Sequence, residues 1–350
     1  MTRRDVVVVG ASAGGVRSLQ TLVAGLPADL PAAVLVVLHT PATARSALPA
    51  ILSRAGALPA VQAADGDLLE PGRILVAPPD RHMLVHHGRV LLSRGPRENG
   101  HRPAVDVLFR SAARDLGARV AAVVLSGTLD DGAAGMVTVH HRGGVGLVED
   151  PETAAYPGMP TAAVAADEPS QVVPVERLAE ALVAELGREV PDPARDGRPV
   201  PPLTVAEVET AAHEQHLYAD PEPAGTPSGF ACPDCTGVLF EVQEGNVRRF
   251  RCRVGHAWSP ASLAAQQGVA VEGALWLALR TLEERAALCD RMAGNAAGRG
   301  HAVTAEAFAD QAAEARSSSL VIRGLIARTA TFGPEATADL LTDGVDQPTS

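Results

Sequence analysis

Aromatic residues are scarce in this 350-residue chain. Phe, Tyr and Trp make up 3% of it, so the 46% hydrophobic content must build a core from Ala, Val and Leu. Positive charge is also short: 30 Lys and Arg stand against 41 Asp and Glu, a formal net charge of −11, and the arginines are scattered. A broad nucleic-acid surface needs massed cations, so this balance argues against a nucleic-acid partner. No apolar run approaches the roughly 18 residues of a membrane-spanning helix, which argues against membrane insertion. The start, MTRRDVVVVG, meets a glycine turn too early for a secretory signal. These absences together imply a cytoplasmic protein. Four cysteines are too few for a disulfide scaffold in a chain this long, and three of them fall within 21 positions, the pattern of a metal site.

What the chain does have is alternation. VVVVG (6–10), AVLVVLHT (33–40), RILVAP (73–78), RVAAVVLSG (119–127) and VGLVED (145–150) read as strands. Between them, residues 16–26, 46–56, 103–117, 131–144 and 175–186 carry helical spacing and end at or near glycine. Strands with little polar alternation, separated by helices, predict a doubly wound, mostly parallel α/β sheet covered on both faces. HMLVHHGRVLLS (82–93) differs, since HG between two apolar runs predicts an antiparallel hairpin with His86 and His87 at its turn. The expected organisation is a catalytic domain over 1–187, a Pro-rich linker with a short helix (203–217) over 188–229, a small metal module over 230–260, a helical hairpin over 261–332 and a flexible tail over 333–350.

The stretch VVVVGASAGGV (6–16) raises two readings. Gly10-Ala11-Ser12-Ala13-Gly14 fits G-x-S-x-G, a serine on a sharp strand-to-helix turn, where helix N–H groups can stabilise an oxyanion. A dinucleotide loop would need glycine where Ser12 stands, and an acid at the end of the second strand, where the chain has His39. Ser12 as nucleophile therefore takes precedence, with Gly10, Ala11, Ala13, Gly14, Gly15 and Thr128 as the elbow and oxyanion set. His39, at a neighbouring strand end, is the natural base. A carboxylate must orient it; Asp130 and Asp131 both sit after a third strand, one of them expected to cap the following helix, and spacing alone leaves the choice between them open.

Six segments in order, GASAGG, VVLHTP, APPDRHML, RPAVDVLFRSAA, SGTLDDGAAGM and DPETAAYPGMP, resemble the catalytic domain of the chemotaxis protein-glutamate methylesterase (CheB-type) family over about residues 5–187. The resemblance implies hydrolysis of glutamate methyl esters on chemoreceptors, with deamidation of glutamine in some members. It places the nucleophile on Ser12, the base on His39 and the aspartate on Asp131, and it requires no cofactor for catalysis. Arg81, His82 and Arg102 match loops near the family's cleft and are substrate-side candidates. The chain departs from the family's T-G-M-G-x-D-G, reading Ser126-Gly127-Thr128-Leu129-Asp130-Asp131-Gly132, and it has Ala13 after the nucleophile. With the catalytic strand at residue 6 there is no room for the receiver domain that precedes it in well-known members. The implied partners are a methylated receptor-type protein, a cognate methyltransferase and sensor proteins. The alternative is a catalytically weakened regulatory or scaffolding protein of the same fold.

Residues 232–256 read Cys232-Pro-Asp-Cys235, sixteen residues, then Cys252-Arg-Val-Gly-His256. Three thiolates and one imidazole at this spacing predict a closed tetrahedral Cys3His zinc site, with GVLFEV and RRFRC as a two-stranded ribbon between the knuckles. A module this small needs the metal for stability. The segment also resembles a carboxy-terminal extension of some receiver-less family members, which implies a structural or docking role. Beyond it, Leu275, Leu279, Leu282 and Leu288 are spaced as a packing stripe, and Cys289 is expected to face a core.

Overall fold

The computed structural model describes residues 2–43, 46–167, 169, 171–192, 198–212 and 225–329. The expected tail and positions 213–217 of the linker helix lie outside these residues. Two compact units divide the chain after Leu263.

The first unit is built on a seven-stranded, wholly parallel sheet. Its strands are β1 (Val6–Ala11), β2 (Ala33–Leu38), β3 (Ala60–Gln62), β4 (Ile74–Val76), then, after the hairpin β5 (His82–His86) and β6 (Arg89–Ser93), β7 (Val120–Val124), β8 (Val145–Glu149) and β9 (Gln171–Val173), in the spatial order β9-β8-β7-β1-β2-β4-β3. The alternation within VVVVGA divides its burial between two layers. Val7 and Val9 join Leu19, Leu22, Leu52, Leu178 and Leu182 on one face. Val6 and Val8 join Leu108, Phe109, Met136 and Met159 on the other. The helices supplying these residues are α1 (Gly15–Ala24), α2 (Leu48–Ala55), α3 (Val105–Leu116), α4 (Ala133–His141), α5 (Gly158–Ala166) and α6 (Val175–Glu185). Burying both faces explains why the strand is apolar at every position rather than every second one. The hairpin 82–93 is antiparallel as expected, with His87 and Gly88 both at positive φ, as a two-residue turn of primed type demands.

Several elements were not anticipated. β3 and β9 have only three residues each, too short to show a period, and α5 opens on Pro157-Gly158 and carries Pro160 in its first turn, where proline needs no N–H partner. The expected two-stranded ribbon is one hairpin of a four-stranded antiparallel sheet: β10 (Thr226–Ala231), β11 (Val238–Glu244), β12 (Val247–Cys252) and β13 (Ala257–Trp258). β10 thus begins inside the stretch read as linker. Helix α7 (Pro202–Ala212) precedes this module and packs Val208 and Ala211 against Leu84, Ala104 and Val107.

The second unit holds most of α8 (Pro260–Gly298) and all of α9 (Ala302–Thr329). Leu279, Ala286 and Cys289 are buried along α8, whereas Leu288, expected in the stripe, is 58% exposed. Cys289 and Ala286 fill the inward positions, one and two residues away from it. Arg316 pairs with Asp290 at 2.7 Å, and Arg323 pairs with Glu283.

Candidate active site

Ser12 follows the central strand β1, His39 follows its neighbour β2, and Asp131 follows β7 on the other side. The chain turns outward in opposite directions from β1, and ligand sites in open parallel sheets form at the carboxyl ends of strands at such a switch. His39 Nδ1 lies 3.1 Å from Ser12 Oγ, and His39 Nε2 lies 2.7 Å from Asp131 Oδ2. The His39 and Asp131 side chains are both buried, with exposures of 5% and 2%.

Burial alone would raise the Asp131 carboxyl, but the His39 hydrogen bond, the neighbouring imidazoles and the Val105 N–H together hold it at about 2. Asp131 is therefore an acceptor only, so Nε2 of His39 carries the ring hydrogen and Nδ1 faces Ser12 with a lone pair. Its carboxylate also accepts the backbone N–H groups of Val105 (2.7 Å) and Asp106 (3.0 Å), at the start of α3.

The elbow geometry requires its glycines at two places. Gly14 has φ +72°, and a Cβ there would stand 2.7 Å from Ser126 Oγ. A Cβ on Gly127 would stand 2.8 Å from Ser12 Cβ and would collide with Met159 Sδ. Gly10 and Ala11 belong to the β1 ladder, and Gly15 N–H donates to Ser12 O. Among the described residues, no backbone carbonyl accepts the N–H groups of Ala13, Gly14 and Thr128, which leaves these elbow donors facing the site. The loop 126–128 is fastened from below: Glu149 accepts from Ser126 N–H (2.8 Å) and Ser18 Oγ (3.1 Å), and Ser126 Oγ donates to Ala13 O (2.9 Å).

Neither Asp130 nor Asp131 caps α4 with its side chain, contrary to the expectation for one of them. Its N-cap is Gly132, and the groups expected to meet an aspartate there, the N–H groups of Gly132 and Gly135, donate instead to Asp106 Oδ1 at 3.0 and 2.7 Å. Asp130 accepts a hydrogen bond from Ser259 Oγ (2.7 Å) in the cysteine-bearing module. Leu129 sits in the left-handed region at φ +61°, at the position where the family pattern carries glycine.

A cleft of about 400 Å³ opens beside His39, lined by Thr40, Pro41, Arg97, His101 and Arg102. The His101 ring stacks on that of His39, centroids 3.7 Å apart and 9° from parallel. Burial, and then the adjacent His39, lowers His101 to about 3, so it stays neutral. Of the substrate-side candidates, Arg102 lines this cleft but is held by Asp80 (2.6 Å) and Gly95 O (3.0 Å). Arg81 is exposed and is not among the cleft residues. His82 must be corrected: it is wholly buried within β5, with Nε2 2.9 Å from Pro96 O and Nδ1 3.3 Å from Ala104 N. The strand is buried on both faces from His82 to Val85, and burial lowers the imidazole to about 4. His101, Asp106, Arg97 and Ser259 were not singled out from the sequence. Asp106 lies in the quoted RPAVDVLFRSAA segment and His101 directly before it, where their neighbours drew the attention.

Cys232, Cys235, Cys252 and His256 converge as expected, each offering a donor atom within 4.8 Å of the others. Cys235 Sγ lies 3.6 Å from Cys252 Sγ, and His256 Nδ1 3.5 Å from Cys252 Sγ. Bonds of about 2.3 Å to a central ion would place tetrahedral thiolates about 3.8 Å apart, so the donor set fits a closed metal site. The other ring nitrogen of His256 faces Asp234 at 4.0 Å, the second carboxylate that metal-bound imidazoles commonly have.

A serine, a histidine and an aspartate in one hydrogen-bonded line at a sheet switch point define the constellation of a serine hydrolase. The family model described as CheB methylesterase matches residues 7–182, half of the chain, and the chain belongs to this family. It is 39% identical over 188 residues to the Methanosarcina mazei protein named protein-glutamate methylesterase/protein-glutamine glutaminase 2, covering 51% of each. To an Anaeromyxobacter dehalogenans protein-glutamate methylesterase/protein-glutamine glutaminase 1 it is 40% identical over 185 residues, covering 52% of this chain and 53% of the relative. The chain thus spans about half the length of the curated relatives it matches. The crystal structure of the Thermotoga maritima CheB methylesterase catalytic domain aligns with a TM-score of 0.50 at 33% identity, covering 51% of this chain and 97% of that one.

Proposed function

We propose that the chain hydrolyses methyl esters of glutamate side chains on a receptor-type protein. The single observation that carries this reading is the line Ser12 Oγ, His39, Asp131, with hydrogen-bond distances of 3.1 and 2.7 Å. His39 Nδ1 takes the Ser12 proton as Oγ attacks the γ-carbonyl, and the ionised Asp131 stabilises the imidazolium that forms. The tetrahedral oxyanion falls to N–H groups of the elbow, with Ala13 and Thr128 as its donors. His39 returns the proton to the departing methoxide, releasing methanol and leaving an acyl ester on Ser12. A water, deprotonated by the same imidazole, then frees the glutamate and restores Ser12. No cofactor enters this sequence.

Arg97, beside His39 in the cleft, suits a substrate segment rich in acidic side chains, and glutamine deamidation would use the same steps with ammonia leaving. The substrate belongs with a cognate methyltransferase and sensor proteins in the cytoplasm. No described helix is long and apolar enough to cross a membrane. The Cys3His cluster would hold a structural zinc ion that takes no part in the chemistry. Replacing Ser12→Ala is expected to lower methanol release from a glutamate-methylated receptor at least ~10³-fold, and retention of activity would overturn the reading. In the weakened-scaffold alternative, a fluorophosphonate leaves Ser12 unlabelled in the unmodified protein.

A further inference from the structure

The cysteine-bearing module joins the catalytic domain by its inner strand. Arg249 and Arg251 of β12 enter a buried cluster with Arg110 of α3, Glu207 of α7 and Glu98, all five no more than 2% exposed. Arg249 reaches Glu207 at 2.8 Å, Arg251 reaches Glu98 and Glu207 at 2.9 Å each, and Arg110 pairs with Glu98. Buried charges persist only where each meets opposite charge, so the module's seat is specified rather than incidental.

Glu98 lies in the loop that carries the cleft wall. On either side of it, Ala257 N–H donates to Arg97 O (3.2 Å) and Asn99 N–H donates to Ala257 O (2.8 Å), which makes residues 97–99 an added edge of the module's sheet. Trp258 lies against Gly100, 3.6 Å from where a Cβ would be. Ser259 then opens α8, with Pro260 at the first helical position and a reciprocal pair of bonds to Ser262 of 2.9 Å each. This cap reaches the catalytic domain three times. Ser259 N–H and Ser262 Oγ both donate to Asn99 Oδ1 (2.9 and 3.0 Å), and Ser259 Oγ donates to Asp130 Oδ1 (2.7 Å), next to Asp131. The residues that follow Asn99 in the loop are Gly100, His101 and Arg102, which line the cleft, and His101 stacks on His39.

We propose that the module is a structural wall of the active site, in which Ser259 and Asn99 are positioning residues that fix the His101 ring against His39 and the Asp130-Asp131 turn behind it. The proposal deepens the esterase reading for its catalytic consequence, but the brace itself does not depend on the substrate. Hydrogen exchange therefore reads the loop directly, and saturation labelling of Ser12 by a fluorophosphonate reads the triad without any receptor.

In the full chain, Ser259→Ala is expected to raise amide exchange at residues 99–101 at least tenfold. It should also lower the maximal labelling rate about tenfold with little change in half-saturating probe concentration. Ser259→Thr, which keeps the hydroxyl, should restore the rate. Ser262→Ala removes one of the two bonds to Asn99 Oδ1 but leaves the Asp130 bond, and is expected to slow labelling clearly less than Ser259→Ala. Unchanged exchange at 99–101 in Ser259→Ala, or equal slowing in Ser259→Ala and Ser262→Ala, would overturn the proposal. If the unmodified protein labels at Ser12 but releases no methanol, the esterase reading fails and the brace is still decided by exchange and labelling.

Discussion

Asp106 and Asp131 each cap the other's helix. The Asp131 carboxylate accepts the N–H groups of Val105 and Asp106 that open α3, while Asp106 Oδ1 accepts those of Gly132 and Gly135 at the start of α4. Two carboxyls this close cannot both be ionised cheaply. Asp131 keeps the charge because His39 faces it. Burial, and then the Asp131 charge, pushes Asp106 well above the usual carboxylate range.

A neutral Asp106 makes a signed prediction. A carboxyl whose folded pKa is raised favours the fold below its unfolded pKa of about 4, and that contribution is lost as pH rises toward the folded value. Asp106→Asn keeps the acceptor oxygen and removes the titration. Its stability relative to the unmodified protein is expected to grow from pH 4 to pH 7, by up to about 1.4 kcal/mol per pH unit. Urea unfolding at the two pH values measures this, and a difference independent of pH would refute it. Asp106→Ala instead strands two buried N–H groups at about 1–3 kcal/mol each.

Much of this arrangement was legible beforehand because it follows from strand ends. VVVVG, AVLVVLHT and RVAAVVLSG carry their burial in composition, and Ser12, His39 and the aspartate pair fall just after them. The reciprocal capping was not legible, since Asp106 and Gly132 are 26 positions apart and each looks locally like an ordinary helix start. His82 misled differently. The family resemblance placed it beside the cleft, but a neutral imidazole satisfied by Pro96 and Ala104 is at home in a core. The fourfold sheet around the cysteines was half hidden because β10 is mostly exposed and lacks an apolar period.

Leu129 offers a test of the family departure. Its φ of +61° costs a side-chain-bearing residue about 1 kcal/mol or more. At an ordinary position Ala is more stable than Gly by roughly 0.5–1 kcal/mol. Here the order is expected to reverse, with Leu129→Gly more stable than Leu129→Ala by about 1 kcal/mol in thermal or urea unfolding. Equal stabilities, or the ordinary order, would show that the loop relaxes out of the left-handed region.

The buried cluster predicts an asymmetric response to mutation. Glu207 meets Arg110, Arg249 and Arg251 together. Those guanidiniums hold its carboxyl at about 2 in spite of burial. Removing it leaves cations buried without their counter-charge, so Glu207→Ala is expected to cost about 3–5 kcal/mol. Exposed pairs such as Arg73 with Glu70 should cost under 1 kcal/mol when broken. Comparable costs at the two sites would mean that the module is not seated through this cluster in solution.

Metal content gives the remaining prediction. Cys232, Leu239, Phe250, Cys252, Trp258 and Leu263 form the module's small buried apolar cluster, with Cys235 packed against it. So small a core supplies little of the stability that a separate sheet needs, and the deficit falls to the four donors. The purified protein is expected to carry about one zinc per chain by elemental analysis. Stripping it with a strong chelator should expose the Trp258 ring, seen as a red shift in fluorescence, and lower the midpoint of the first unfolding transition, with both effects reversed by adding zinc. Cys235→Ser should weaken metal retention without touching Ser12. A metal content below about half an equivalent, with Trp258 fluorescence indifferent to the chelator, would leave the Cys3His cluster as a set of reduced thiols and would require the module to be held by the Glu98 and Glu207 ion pairs alone.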